Sequence, residues 1–441
     1  MTVGLMIAAP RSGSGKTTVT LGLLRALVRR GIKVAAFKCG PDYIDPAFHK
    51  IATGRTSLNL DSWAMPESVL DTNFIRGSAG ADVVIAEGSM GLFDGVATRG
   101  ASGDGASADI AARFGLPVVL VIDASGQSQS AGAVALGFRD FHPDVKIIGV
   151  ILGNVASDRH RLLAARGIER AGLPVLGALP RASVPAIPER HLGLVQAEEI
   201  PNVLRVADAL ADAMERLVDI DAVLAAAQPV RKPAVVPVVA MSPPGKRIAL
   251  ASDVAFSFTY AHMMADWRAA GAQILPFSPL ADEAPSPDAD SCWLPGGYPE
   301  LYAGRLAENH RFLEGLRNFA ADKPVHGECG GYMALGEKMT DASGKEWEMA
   351  GLLPVATSFA ARKLHLGYRA LTLAVDTPIG KKGTLVRGHE FHYASIVTRG
   401  AAESLGGATD ANGISLGAAG QRVGNVTGSF FHAVACEDCR S

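Results

Sequence analysis

No stretch of the 441 residues stays apolar for the roughly 20 positions a membrane-spanning helix needs. No block of Lys or Arg occurs either, and the formal net charge is -2. These absences argue against a membrane protein and against nucleic acid as a partner. The amino-terminal Met1-Thr2-Val3-Gly4-Leu5-Met6 lacks the basic region and cleavage site of an export signal, so a cytoplasmic location is expected. Cysteine is scarce: five residues, an odd number, are spread too widely for a disulfide framework and fit a reducing compartment. Two of them form Cys436-Glu437-Asp438-Cys439, a formal CxxC with no strand leading into it, which reads as an incidental tail. What is abundant is apolar: 48% hydrophobic against 20% charged residues, over a length suited to two or three domains.

The apolar residues fall into short runs separated by helical or loop segments. Val3 to Ala9 leads into a Gly-rich loop, and Thr17 to Arg30 then carries Val19, Leu23, Leu24, Leu27 and Val28 at near-helical spacing. Further Val/Ile/Leu-rich runs follow at 32–37, 82–86, 117–122, 146–152 and 174–178. Continuous apolar strands joined by helices predict a parallel sheet covered on both faces. Between Ala225 and Lys246 the pattern breaks at Pro229, Pro233, Pro237, Pro243 and Pro244. A second α/β series begins at Arg247, with strand-like runs at 247–251, 273–277, 291–294 and 324–327 and a helix over 260–270. The expected division is residues 1–225 as one domain, 226–245 as a Pro-rich linker, 246–435 as a second domain and 436–441 as a tail.

Two chemical signatures sit on this frame. Ser12-Gly13-Ser14-Gly15-Lys16-Thr17-Thr18 joins a strand to a helix, the context that gives a phosphate-binding loop its mechanism. Glycines let backbone N–H groups approach phosphate oxygens, Lys16 reaches the outer phosphates, and Thr17 is a magnesium ligand. The first position of G-x-x-x-x-G-K-[ST] holds Pro10 rather than Gly, which shifts the likeness toward P-loop enzymes of the dethiobiotin synthetase and MinD type. Gly13, Ser14, Gly15, Lys16, Thr17, Thr18 and Asn154 are the candidate ATP-binding residues. Strand ends supply carboxylates in Lys38-Cys39-Gly40-Pro41-Asp42-Tyr43-Ile44-Asp45-Pro46 and Glu87-Gly88-Ser89-Met90-Gly91-Leu92-Phe93-Asp94-Gly95. Asp42 and Glu87 are candidates to hold Mg²⁺ with Thr17, and Asp45 and Asp94 candidates to orient a second substrate. Helix or turn capping remains open for each acid.

The other signature is Pro324-Val325-His326-Gly327-Glu328-Cys329-Gly330-Gly331, read as strand, sharp turn and helix. Such an elbow exposes its nucleophile, favours the thiolate at a helix N-terminus and lends the N–H of Gly330 to an oxyanion hole. Gly296 and Gly297 are expected to complete that hole. His432 is the candidate base, with His389 and His392 as competitors. Cys39 and Cys292 lack an elbow and read as core or loop thiols.

Together with Arg190-His191-Leu192-Gly193-Leu194, Pro295-Gly296-Gly297-Tyr298-Pro299-Glu300 and Gly388-His389-Glu390-Phe391-His392-Tyr393, these segments resemble the cobyrinate and hydrogenobyrinate a,c-diamide synthase family over nearly the whole chain. The resemblance implies a dethiobiotin-synthetase-like ATP domain followed by a class I glutamine amidotransferase domain of flavodoxin-like α/β fold. It implies use of ATP, Mg²⁺ and L-glutamine to amidate the a and c acetates of a corrinoid in cobalamin biosynthesis. Cys329 would be the nucleophile and His432 its activator; Lys16, Thr17 and Glu87 would serve ATP and magnesium, with Asp45 and Asp94 facing the corrinoid. Where the wider class I amidotransferases carry a Glu two residues after the histidine, this chain has Val434, and Glu390 is the weak candidate to orient His432.

A carboxylate is a poor acylating agent, so ATP is expected to phosphorylate it while Cys329 releases ammonia from glutamine. Ammonia must then be delivered from one site to the other. Three rivals stand beside this reading: a cobyric acid synthase amidating other side chains, a MinD-like switch with a degenerate amidotransferase module, and dethiobiotin synthetase chemistry for the first half alone. Whether the ring carries cobalt is open, as are a homodimer and pairing of Arg99, Arg113, Arg181 or Arg190 with the substrate's other carboxylates.

Overall fold

The structure is a computed structural model that describes residues 2–181, 189–190, 193–234 and 237–437. His191, Leu192, Asp438 and Cys439 of the quoted motifs lie outside the described residues. The chain divides into two compact units, one of residues 1–63 and 70–236 and one of 64–69 and 237–441.

The first unit is built on β1 (Val3–Ala8), β2 (Val34–Cys39), β3 (Leu58–Leu60), β4 (Val83–Glu87), β5 (Val118–Asp123), β6 (Ile147–Val155) and β7 (Val175–Pro180), in the order β3-β2-β4-β1-β5-β6-β7. All neighbouring pairs along this path are parallel. Every residue of β2 and β4 is buried, which is why these strands read as continuous apolar runs instead of alternating ones. Their C-terminal ends carry the loops that hold the candidate nucleotide residues, next to the start of α1 (Lys16–Arg29) and α2 (Ile44–Thr53). The Pro-rich segment does not leave this unit at 226. Gln228 and Pro229 pair antiparallel with Gly4 and Val3, and the N–H of Arg231 donates to the carbonyl of Phe114 at 2.9 Å. Local composition reveals the prolines but not that an open stretch of the β1 edge is there to receive them.

In the second unit five parallel strands, Arg247–Ala251, Gln273–Phe277, Ser291–Leu294, Val325–Glu328 and Val426–Ser429, lie in the order 2-1-3-4-5, with Gln421–Val423 as an antiparallel edge. This is the flavodoxin-like order. Trp267 and Trp293 meet edge to face in its core, ring centres 5.1 Å apart. Between the helix Gly330–Leu335 and the fifth strand the chain builds a four-stranded and most of a five-stranded sheet. The latter ends on the strand His432–Cys436, which pairs antiparallel with Leu385–His392. Cys436, read above as the start of a tail, is therefore a buried strand residue.

Candidate active sites

The loop from β1 to α1 places Gly13 at φ 73° and Gly15 at φ 88°, so the turn is left-handed twice before the helix begins. Ser14, Thr17 and Thr18 fill the turn and the first helical residues. Lys16 is buried, its Nζ donating to the carbonyls of Met90 at 2.5 Å and Arg11 at 3.3 Å. Burial, and next the charge of Lys38, lowers its pKa to about 8, although Glu87, Asp45 and Asp94 pull the other way.

Thr17 donates its hydroxyl to Glu87 Oε1 at 2.7 Å. Glu87, at the end of β4, is fully buried and also takes Lys38 Nζ at 3.0 Å and His49 Nε2 at 2.8 Å. Burial opposes its ionisation, yet Lys38 and His49 outweigh burial and hold it well below the usual carboxylate range. Lys38 also meets Asp45 at 2.5 Å. One buried ammonium thus lies between two buried acids. Burial and the charge of Asp42 push Asp45 upward, so Glu87 is the acid that stays ionised.

The other candidates are spread around this centre. Asp42 Oδ1 accepts the N–H groups of Ile44 at 2.7 Å and Asp45 at 2.9 Å, capping α2. Asp94 Oδ2 accepts the N–H of Gly91 at 2.8 Å and closes the loop after β4. Asn154, at φ 55°, donates to Asp123 Oδ1 at 3.0 Å, and Asp123 also pairs with Arg11. Lys38 and His49 went unassigned in the sequence. The signal for Lys38 was a charge inside an otherwise apolar strand, Val34–Cys39, that the sheet covers on both faces.

In the second unit Cys329 stands between the strand Val325–Glu328 and the helix Gly330–Leu335 at φ 48°, ψ -103°. Such a backbone is strained for a residue with a side chain and belongs to a nucleophile elbow. Its N–H donates to the carbonyl of Ser429 at 2.8 Å, tying the elbow to the next strand. Two sequence expectations for the thiol fail. Cys329 is buried, not exposed, and burial followed by the negative charge of Glu300 raises its pKa far more than the N–H of Gly330 lowers it. The resting group is a thiol that needs a base.

Gly296 shows where that base is. A Cβ built there would lie 2.4 Å from Cε1 and 3.3 Å from Nε2 of His432, and 3.4 Å from Cβ of Cys329. Histidine and cysteine therefore close over this glycine, and no larger residue fits between them. Gly297 has φ 157°, and a Cβ there would strike the carbonyl of Ala255; its N lies 3.2 Å from a Cβ built on Gly330. Burial lowers the pKa of His432, and His389 and His392 lower it further. The competitors face elsewhere: His389 Nε2 contacts Tyr260 Oη at 2.8 Å and His392 Nδ1 the carbonyl of Ala394 at 2.9 Å. The ring of His389 stacks on that of His432, centres 5.0 Å apart. Glu390 is ion-paired with Arg369 at 2.9 Å, whereas Glu328 Oε2 lies 3.9 Å from His432 Nδ1. Glu328 precedes the cysteine directly in sequence, so spacing counted from the histidine does not point to it.

Cys39 and Cys292 are buried free thiols, Cys39 pushed up to about 12 by burial. Among the described residues no helix is long and apolar enough to cross a membrane, and no three His, Cys, Asp or Glu side chains gather to hold a metal ion.

Residues 5–195 match the family model described as a CobQ/CobB/MinD/ParA nucleotide binding domain, and residues 247–438 that of a CobB/CobQ-like glutamine amidotransferase domain. The chain is 54% identical over 432 residues to a hydrogenobyrinate a,c-diamide synthase from Mesorhizobium japonicum. Proteins of the same name from Agrobacterium fabrum and Rhodobacter capsulatus are 53% and 55% identical. In all three cases the match covers 98% of both chains.

Proposed function

Because the chain belongs to the hydrogenobyrinate a,c-diamide synthase family, we propose that its two sites act in series to amidate the a and c acetates of hydrogenobyrinate, the cobalt-free corrinoid. It is a glutamine-dependent, amide-forming ligase with a nucleotide-binding and an amidotransferase domain. The observation that carries the amidotransferase half is the closure of Cys329 and His432 over Gly296.

His432 Nε2 takes the thiol proton as Sγ attacks the glutamine amide carbon. The N–H of Gly330, with donors from the Gly296-Gly297 turn, meets the developing oxyanion. The same proton then passes to the leaving nitrogen, ammonia departs, and water cleaves the glutamyl thioester. In the nucleotide-binding domain Lys16 and the loop N–H groups of residues 13–18 hold the phosphates of ATP, with Asn154 assigned to the base. The corrinoid carboxylate attacks the γ-phosphorus, ADP leaves, and ammonia displaces phosphate from the resulting acyl phosphate. Asp45 and Asp94, with the segments 42–46 and 87–95 that carry them, are assigned to the corrinoid.

The acidic cluster suits Mg²⁺. Glu87 stays ionised beside Thr17, and a divalent ion held there would neutralise charge on the phosphates. Thr17 and Glu87 would hold it together with phosphate oxygens; Asp42, committed to capping α2, is left out of the set.

The test is Cys329→Ser assayed with glutamine and, separately, with ammonium. Glutamine-dependent amidation vanishes and ammonium-dependent amidation persists, with two amidations read from product mass. Loss of both in a folded variant would overturn the division of labour. Lys16→Ala, by contrast, abolishes both.

A further inference from the structure

We propose that Glu328 is the positioning carboxylate of His432, reaching the histidine from the nucleophile's side of the elbow in place of the acid that class I amidotransferases carry two residues beyond it. This rests on the assignment of Cys329 and His432 above.

Three observations carry it. Glu328 Oε1 accepts the N–H of Ala433 at 3.1 Å, so the carboxylate is fastened to the very strand that bears His432. Its other oxygen, Oε2, then lies 3.9 Å from His432 Nδ1. The ring's Cε1 and, behind it, Nε2 crowd Gly296, whose other neighbour is Cys329, leaving Nε2 as the nitrogen not engaged by the acid. Nδ1 toward the acid and Nε2 toward the thiol is the arrangement a base needs, since a carboxylate at Nδ1 fixes the tautomer and supports the imidazolium. At 3.9 Å the contact is an ionic approach; a closure of about 1 Å would make it a hydrogen bond. The position two residues beyond the histidine is Val434, buried and apolar.

The carboxylate is itself held in reserve. Burial raises its pKa to about 8, against the pull of the Ala433 N–H. The groups facing this centre are His326, whose Nε2 lies 3.9 Å from Glu328 Oε1, and His389 and His392 beside His432. Glu300, Glu328 itself and Glu390 act on Cys329, each raising its pKa. Burial pushes both His326 and His389 down to about 3, so neither titrates near neutrality. When Cys329 gives its proton to Nε2, the imidazolium N–H at Nδ1 faces Glu328, and only the ionised acid stabilises it. Glutaminase activity therefore rises with pH as Glu328 ionises.

The experiment compares wild type, Glu328→Gln and Glu328→Asp in glutamine hydrolysis across pH 6 to 9.5, with alkylation of Cys329 by iodoacetamide followed in parallel. In Glu328→Gln, kcat for glutamine falls roughly 10- to 100-fold, less than for a triad acid in full hydrogen-bond contact. KM for glutamine stays near wild type, the limb near pH 8 disappears from both turnover and alkylation, and ammonium-dependent amidation is unchanged. Glu328→Asp keeps the limb at reduced kcat. A folded Glu328→Gln with the wild-type pH profile overturns the proposal. Should Gln prevent folding, Glu328→Asp decides, and wild-type kcat in that variant overturns it too. Were Cys329→Ser to keep glutamine-dependent activity, the underlying site assignment would fail instead, a result separable from either outcome here.

Discussion

ATP affinity should weaken as pH rises through 8, because Lys16 enters the free enzyme with a pKa lowered to about 8. Phosphate oxygens favour the ammonium, so binding selects the protonated form and restores its charge. The apparent dissociation constant then scales as one plus ten to the power of pH minus pKa. Relative to full protonation the penalty is about 1.1-fold at pH 7, about 2-fold at pH 8 and about 11-fold at pH 9, so affinity falls about tenfold, or ~1.4 kcal/mol, over that range. ATP has completed its own last ionisation by the upper part of this window. Titration calorimetry at saturating Mg²⁺ reads the trend. It also reads its cause: near pH 8 each binding event takes up about half a proton, which makes the enthalpy depend on the buffer's ionisation heat. Lys16→Arg keeps its charge throughout and removes both effects. Constant wild-type affinity and no proton uptake between pH 7 and 9.5 would refute the account of Lys16.

Three further outcomes are expected. Gly296→Ala puts a Cβ 2.4 Å from His432 Cε1, so the ring must move; a shift of about 1 Å lowers glutaminase kcat roughly 100-fold while ammonium-dependent amidation survives, as paired assays show. Lys38→Met leaves Glu87 buried without its ammonium and destabilises the first unit by about 3–5 kcal/mol in urea unfolding. Glu328 has a folded pKa of about 8, above the usual 4.5, so its contribution to stability is whole below pH 4.5 and is lost as pH rises through 8. Glu328→Gln should therefore gain on wild type across that window, by at most about 5 kcal/mol, read as a difference in melting temperature that grows with pH.

What the sequence disclosed was local. The runs at 247–251 and 291–294 coincide with strands that are buried at every position after Arg247, whereas Gln273–Phe277 is an edge strand, buried only at Phe277 and legible through Ile274, Leu275 and Phe277. The loops at Lys16 and Cys329 were legible because each needs glycine at fixed offsets from one reactive side chain. The sheets between residues 338 and 436 are not legible in the sequence, because many of their strands are short and their pairing joins residues far apart, as in His389 with His432. Burial was also invisible. The elbow motif promised an exposed thiolate, and only the packing of Cys329 against its neighbours turned it into a thiol. Asp42 shows the reverse: its place at a strand end suggested a ligand, while the turn it occupies commits it to backbone N–H groups.

The histidine and the cysteine arrive on different sheets. Cys329 follows directly on the fourth strand of the parallel sheet, and His432 opens a strand of the antiparallel one, with only Phe430 and Phe431 between it and the parallel strand Val426–Ser429. A nascent chain that has emerged through the helix Gly330–Leu335 carries its sulfur but lacks the proton acceptor, which follows about a hundred residues later in translation. Hydrolytic competence therefore depends on one late-synthesised strand, His432–Cys436, taking its place beside Leu385–His392.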